Sequence, residues 1–141
     1  MIIGQAIDCY FENQKLELNQ LEFLHIHKTA KLIAASLKMG AIICEYDLQT
    51  QEKLFNFGIN LGLLFQIQDD IIDETCTSVQ AGKTTHNDSS KNSFVNLLGL
   101  DGSIKSADDL ALKCLETLNT FDSNLKESLE QLLLEYINRH K

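Results

Sequence analysis

The sequence predicts an all-α fold, and three observations predict it. Proline, which breaks helix interiors, is absent from all 141 residues, where ordinary usage of ~5% would supply about seven. Apolar residues recur at three- and four-residue spacings over long stretches, the period of an amphipathic helix. No low-complexity tract, internal repeat or Gly/Ser linker divides the chain. Residues 1–141 therefore read as one helical unit, about one domain's worth of chain. A chain of this length hides roughly two thirds of its unfolded surface.

Residues 1–12 read as a short helix or the tail of a longer one, with Gly4-Gln5 near its start and Asp8 one turn on. A second helix is expected from Asn19, a fair N-cap with Glu22 three residues later, to about Ile43. Leu21, Leu24, Ala30, Ile33, Ala34, Leu37 and Ala41 keep one of its faces apolar. Ala34, Ala35, Gly40 and Ala41 are small enough to admit a close neighbour. A third helix is expected from Leu48 to Asp73, apolar nearly all round between Leu54 and Ile67, which marks a core helix. Residues 75–90 carry no apolar period and read as a loop. A fourth helix over 91–99, a turn at Asp101-Gly102 and amphipathic helices over 104–120 and 123–139 complete the chain.

Composition removes several function classes. Hydrophobic residues at 44% and charged residues at 23% argue against wholesale disorder. The net charge of −8, from 20 acids and 12 bases, argues against sequence-independent binding to nucleic acid or anionic membrane. No run of 18 apolar residues supplies a membrane span, and the N-terminus lacks a signal-peptide pattern. Cys9, Cys44, Cys76 and Cys114 form no CxxC pair and no zinc pattern, so they read as reduced thiols of a cytoplasmic protein.

The chemistry concentrates in three places. Asp69-Asp70-x-x-Asp73 follows the apolar core helix. Asp69 and Asp73 share a helical face, with Asp70 about 100° around. Three adjacent carboxylates repel one another unless a cation neutralises them. Magnesium suits such a cluster, because it takes few carboxylates and bridges to substrate phosphates. A solvated acidic helix end is the competing reading, although a helix C-terminus disfavours negative charge. His25-Ile26-His27-Lys28-Thr29 comes second, where an ammonium and a hydroxyl could both donate to phosphate oxygens. Read on its own, Lys28 fits a solvated lysine, and the histidines fit a surface or partly buried position, better than a diphosphate site. Third is Gly82-Lys83 with Lys91 beyond it, two cations in a loop just after the acids.

Taken together, these segments resemble the trans-type isoprenyl diphosphate synthases (polyprenyl synthetases), most of all the bacterial farnesyl diphosphate synthases. The matching stretches are Gly4-Gln5-Ala6-Ile7-Asp8, His27-Lys28-Thr29-Ala30-Lys31-Leu32-Ile33, Gly62 through Asp73, Gly82-Lys83, Lys91-Asn92-Ser93-Phe94 with Leu97-Leu98-Gly99, and Tyr136-Ile137-Asn138-Arg139. The resemblance implies an all-α bundle of the isoprenoid synthase type around a deep cavity, of which this chain carries the C-terminal half. It implies condensation of isopentenyl diphosphate with an allylic diphosphate, dimethylallyl or geranyl, to a longer prenyl diphosphate such as farnesyl diphosphate. The cofactor implied is Mg2+, bound by Asp69, with Asp73 acting through water or a further ion and Asp70 ordering the metal waters or pairing with a lysine. Lys28 and Lys83 would hold the allylic diphosphate, and Thr29 and Gln66 would lie beside the ionising carbon. Gln5 and Asp8 would border the cavity, Phe65 would wall the isopentenyl site and Lys91 would belong to a closing flap. A homodimer is implied for the complete enzyme.

Two departures from the family pattern stand out. The first aspartate-rich motif is absent, as are the upstream Gly-Lys and arginine residues of the isopentenyl site. The segment between Lys83 and Lys91 is short, and Ser93-Phe94 stands where Thr-Tyr is common. The chain alone is therefore expected to lack activity and to need its missing N-terminal half, in cis or in trans. Without that half, the apolar helix Leu54–Ile67 is expected to lie exposed. A non-catalytic helical subunit that completes or regulates a partner synthase is the alternative, and a class I terpene cyclase is a further one. A di-iron bundle needs two Glu-x-x-His pairs and the sequence holds one, Glu22 to His25, and residues 69–80 lack a calcium-loop pattern.

Overall fold

A computed structural model describes residues 2–11, 14–80 and 92–137, of which 76–80 and 136–137 by backbone alone. Among these residues the only regular structure is helical: α1 (Ile2–Tyr10), α2 (Leu18–His25), a π-helical turn (Ile26–Ala30), α3 (Lys31–Ile43), α4 (Leu48–Gln80), α5 (Phe94–Leu118) and α6 (Ser123–Ile137). The all-α class holds.

The helix starts show local chemistry at work. α2 begins at Leu18, not beyond Asn19, and the side chain of Gln20 rather than Glu22 closes its first turn. Glu17 N–H donates to Gln20 Oε1 at 2.9 Å. Asp47 caps α4 by accepting from Thr50 N–H at 3.0 Å and from the Thr50 hydroxyl at 2.8 Å. Asp122 caps α6, its Oδ1 accepting from the N–H groups of Asn124 and Leu125 at 3.1 Å each. Each such cap satisfies donors that the helix cannot satisfy itself.

α4 is the central element and packs most extensively against α3 and α5. Its Leu54, Phe57, Leu61, Leu63, Leu64, Ile67 and Ile71 are all buried. Burial of each such side chain is worth about 1.5–3 kcal/mol relative to exposure. The expected exposure of the Leu54–Ile67 stretch is therefore wrong, because α3 and α5 already cover it. The exposed large apolar residues lie instead mainly on α3 and at helix ends: Leu32, Met39, Ile42 and Ile43 on α3, Ile2 and Ile3 on α1, and Leu48.

Small residues set the α3–α4 distance. A Cβ at Gly58 would fall 2.5 Å from Ala34 Cα, and one at Gly62 would fall 2.4 Å from Ala30 Cα. The backbones meet where Gly58 and Gly62, one turn apart, face Ala30 and Ala34, also one turn apart. Gly40, expected to serve the same purpose, has nothing within 4 Å of its Cβ position.

Two boundaries differ from expectation. α4 continues to Gln80, so Asp69, Asp70 and Asp73 lie inside the helix and not at its C-terminus. The dipole conflict expected there does not arise. Residues 94–118 form one element whose break falls at Gly99 (φ 72°, ψ 170°), not at Asp101-Gly102. Only glycine enters that conformation at little cost, so the residue without a side chain makes the kink. The Asp-Gly pair is helical.

Candidate active site

The His27-Lys28-Thr29 segment lies in the π-helical turn between α2 and α3. Such turns carry wider i→i+5 bonding and recur at functional sites. Two helices approach this turn at backbone distance. Gly62 of α4 faces Ala30, and a Cβ at Gly4 of α1 would lie 2.3 Å from Lys28 N. Any larger residue at Gly4 would push α1 off the turn.

That approach brings the side chains of Asp8 and Lys28 together. Lys28 Nζ donates to Asp8 Oδ2 at 2.6 Å, with both side chains about one third exposed (35%). Asp8 therefore orients the ammonium while leaving it accessible. Gln5 lies one turn earlier on α1, exposed, with its amide toward Cys9 Sγ at 3.7 Å. On the opposite flank the Thr29 hydroxyl donates to Gln66 Oε1 at 2.5 Å. His27 is used within the helix: its Nδ1 lies 2.8 Å from Phe23 O and its Nε2 2.8 Å from Lys31 Nζ.

Gln66 links the turn to the acids. Gln66, Asp69, Asp70 and Asp73 stand at i, i+3, i+4 and i+7 of α4, one stripe of a helix. Asp69 and Asp70 are half-buried and Asp73 is exposed. Phe65 is half-buried on the same helix, one turn before Asp69. Thr29 is thus bonded to the first member of a stripe whose next three are carboxylates. Lys83 and Lys91 lie outside the described residues.

Asp70 has a partner that the sequence did not suggest. Its Oδ2 accepts from Phe94 N–H, the first residue of α5, at 2.8 Å. The carboxylate sits at a helix N-terminus, where negative charge is stabilised. Ser93, the N-cap itself, accepts from Asn96 N–H at 3.1 Å. The neighbouring Asn92 bonds through its side chain to the connection between α1 and α2. Neither contact has a local sequence signal, since the partners are 24 and 76 residues or more apart.

Among the described residues no three His, Cys, Asp or Glu side chains converge into a ready cage for a metal ion. An all-protein metal centre does not fit this arrangement. Two carboxylates one turn apart do fit magnesium held partly by water and substrate phosphate.

Comparison with known proteins agrees with this construction. A sequence profile of the polyprenyl synthetase family matches residues 1–133. The chain belongs to the polyprenyl synthetase family. It is 36% identical over 143 residues to farnesyl diphosphate synthase of Micrococcus luteus, covering 100% of this chain and 49% of that protein. It is 39% identical over 125 residues to the chloroplastic geranylgeranyl pyrophosphate synthase of Catharanthus roseus, covering 86% of this chain and 35% of that one. The crystal structure of the geranyltransferase of Helicobacter pylori 26695 superposes with a TM-score of 0.83 at 44% identity, over 98% of this chain and 44% of that one. A second structure of that geranyltransferase, complexed with magnesium and isoprenyl diphosphate, gives 0.81 at 49% identity, over 96% and 46%. The chain spans about a third to a half of the length of these relatives. The fold is the all-helical one of the isoprenyl diphosphate synthases. Among the described residues no helix is long and apolar enough to cross a membrane.

Proposed function

We propose that the chain carries one half of the active site of a prenyltransferase that joins isopentenyl diphosphate to an allylic diphosphate. The observation that carries this reading is the Thr29–Gln66 bond. It ties a turn bearing an oriented ammonium to the head of the acidic stripe. Lys28, steered by Asp8, supplies positive charge to a diphosphate. Asp69 and Asp73 would hold magnesium, which when bound neutralises the leaving diphosphate. Thr29 and Gln66 present a hydroxyl and an amide dipole toward developing positive charge on the allylic carbon. Phe65 adds an apolar wall, and Gln5 and Asp8 border the site from α1. Lys83 and Lys91 add further cations on this reading.

The chain alone is inactive on this reading, because its sequence carries a single aspartate-rich motif, Asp69-Asp70-x-x-Asp73. The missing half belongs on the exposed face formed by Leu32, Met39, Ile42 and Ile43, an apolar surface of the kind proteins cover. The acidic charge of the present chain and its free Cys9, Cys44 and Cys114 support a cytoplasmic setting, and a homodimer of the completed protein accords with the family.

The test incubates the chain, alone and joined to the half that covers α3, with labelled isopentenyl diphosphate and geranyl diphosphate. Longer labelled prenyl diphosphate is expected only from the joined protein and is expected to vanish with EDTA. Product from the chain alone would overturn the half-site reading. A joined protein with no product would overturn the prenyltransferase reading in favour of a helical subunit without catalysis. Hydrocarbon released from farnesyl diphosphate without isopentenyl diphosphate would indicate a cyclase instead.

A further inference from the structure

Two residues that flank Ser93, Asn92 and Phe94, tie together parts of the chain that are far apart in sequence. Asn92 is half-buried, and its side-chain amide makes three bonds to the backbone that follows α1. Its Oδ1 accepts from Leu16 N–H at 3.0 Å, and its Nδ2 donates to Phe11 O at 3.1 Å and to Gln14 O at 2.9 Å. An asparagine amide has two donor hydrogens and two acceptor sites, so nearly its whole capacity serves one irregular connection. Phe94 N–H is held by Asp70 of α4. The Phe94 ring is buried and stacks on His25, with centroids 5.4 Å apart, immediately before the π-helical turn.

The consequence concerns α1. That helix packs on the turn through Gly4 and supplies Asp8 to Lys28, but it is short and largely exposed. A helix of this length is not stable by itself. Its C-terminal end is held where Asn92 grips Phe11, Gln14 and Leu16. The other end of that grip is rooted, through Phe94, in the acidic stripe of α4.

We propose that Asn92 is a positioning residue, fixing α1, and with it Asp8 and Lys28, in register with the acids of α4. Its functional meaning rests on the diphosphate reading given above. Asn92 touches no substrate; it acts through α1.

Amide hydrogen exchange of the full chain tests this. In Asn92→Ala, exchange across residues 5–10 of α1 is expected to rise at least about tenfold more than exchange in α6, since three backbone groups lose their partner. Ser93→Ala removes the N-cap of α5 and is the control for lowered stability, expected to raise exchange in both helices alike. Asn92→Asp keeps the acceptor for Leu16 but loses both donors, and its charge favours the start of α5. It is expected to free α1 at nearly unchanged melting temperature, which keeps the test available if Asn92→Ala does not fold. Equal effects on α1 and α6 in the Asn92 variants would overturn the proposal. Calorimetric binding of inorganic pyrophosphate with magnesium gives the functional readout. Wild-type binding that weakens about tenfold in the Asn92 variants, and not in Ser93→Ala, supports the positioning role. Unweakened binding overturns it. A wild-type chain that does not bind pyrophosphate refutes the diphosphate reading, while the exchange pattern still decides whether Asn92 holds α1.

Discussion

Replacing Gly62 by alanine tests the contact on which the site is built. The new Cβ would lie 2.4 Å from Ala30 Cα and 2.7 Å from Ala30 Cβ, where carbon atoms pack comfortably at about 3.5–4.0 Å. Relief needs a shift of about 1 Å, and the obstacle is backbone rather than the end of a flexible side chain. Overpacking of this kind costs about 1–3 kcal/mol, and the rigid partner places Gly62→Ala toward the upper end. Against this, alanine gains about 1 kcal/mol in helix propensity over glycine. The net expectation is a loss of about 1–2 kcal/mol. Gly40→Ala is the matched control, because Gly40 is exposed in α3 with nothing within 4 Å. It keeps the propensity gain without the clash and should stabilise by about 0.5–1 kcal/mol. At this chain length 1 kcal/mol moves the melting midpoint by about 4 °C. Thermal and urea unfolding followed by circular dichroism should therefore move in opposite directions for the two variants. A Gly62→Ala protein as stable as Gly40→Ala would refute the close approach of α4 to the π-helical turn.

Three further predictions follow from the same geometry. Asp70→Ala removes the acceptor for Phe94 N–H and should cost about 1 kcal/mol, as loss of a helix cap does, whereas Asp70→Asn keeps an acceptor oxygen and should cost less than half of that; equal urea midpoints for the two would show that the bond does not hold α5. Burial pushes the Cys114 thiol up to about 12, so iodoacetamide at pH 8 should alkylate exposed Cys9 and Cys44 in the native protein and Cys114 only after unfolding; peptide mass spectrometry reads the order, and native labelling of Cys114 at the rate of Cys9 would contradict its burial. The Thr50 backbone N–H, with the Thr50 hydroxyl, holds the Asp47 carboxyl below its usual 3.8. Because the folded value is depressed, this stabilisation is present above the unfolded value and is lost as pH falls through the folded one. The difference in urea midpoint between wild type and Asp47→Asn should shrink from pH 6 toward pH 3, and a constant difference would show that Asp47 does not titrate with unfolding.

Much of the fold was legible because apolar periodicity reports burial directly. The run Leu54–Ile67 is largely buried as a core helix should be; Lys28, Thr29 and the three aspartates stood out by residue type and spacing, whereas Asp8 and Gln66 entered only through the family resemblance. What escaped has particular physical reasons. The π-helical turn offsets the apolar period once, so that buried Ala30 follows buried His25 at five residues, and a single such offset does not separate Ile26–Ala30 from ordinary helix in the sequence. The length of α4 was underestimated because residues 75–80 are polar, although nothing among them forbids a helix. The kink falls at Gly99, whose positive φ only glycine adopts at little cost, and since Gly102 is a glycine too, the residue type alone did not decide between them. The Gly58/Gly62 and Ala30/Ala34 pairs did carry a signal, small residues one turn apart on two successive helices. The bonds of Asn92 and Asp70 carried none, since each joins segments distant in sequence.

Lys28 and Thr29 are located by backbone approach of neighbouring helices to their turn. Gly4 and Gly62 come from different helices, yet both close on the same five-residue turn, at Lys28 and at Ala30. Within that turn Lys28 bonds to α1 and Thr29, the next residue, bonds to α4. Successive residues point in different directions around a helix axis, so a single turn can serve two neighbours only if both lie close against it. The two glycines meet that condition. Every contact in this chain of constraint lies within the described residues, although the relatives are two to three times as long. On the proposed reading, the half that covers α3 therefore has no part in placing Lys28 or Thr29. What it must add is the opposing set of acids and the enclosure that excludes water, and its removal should abolish turnover while leaving the Asp8–Lys28 and Thr29–Gln66 contacts in place.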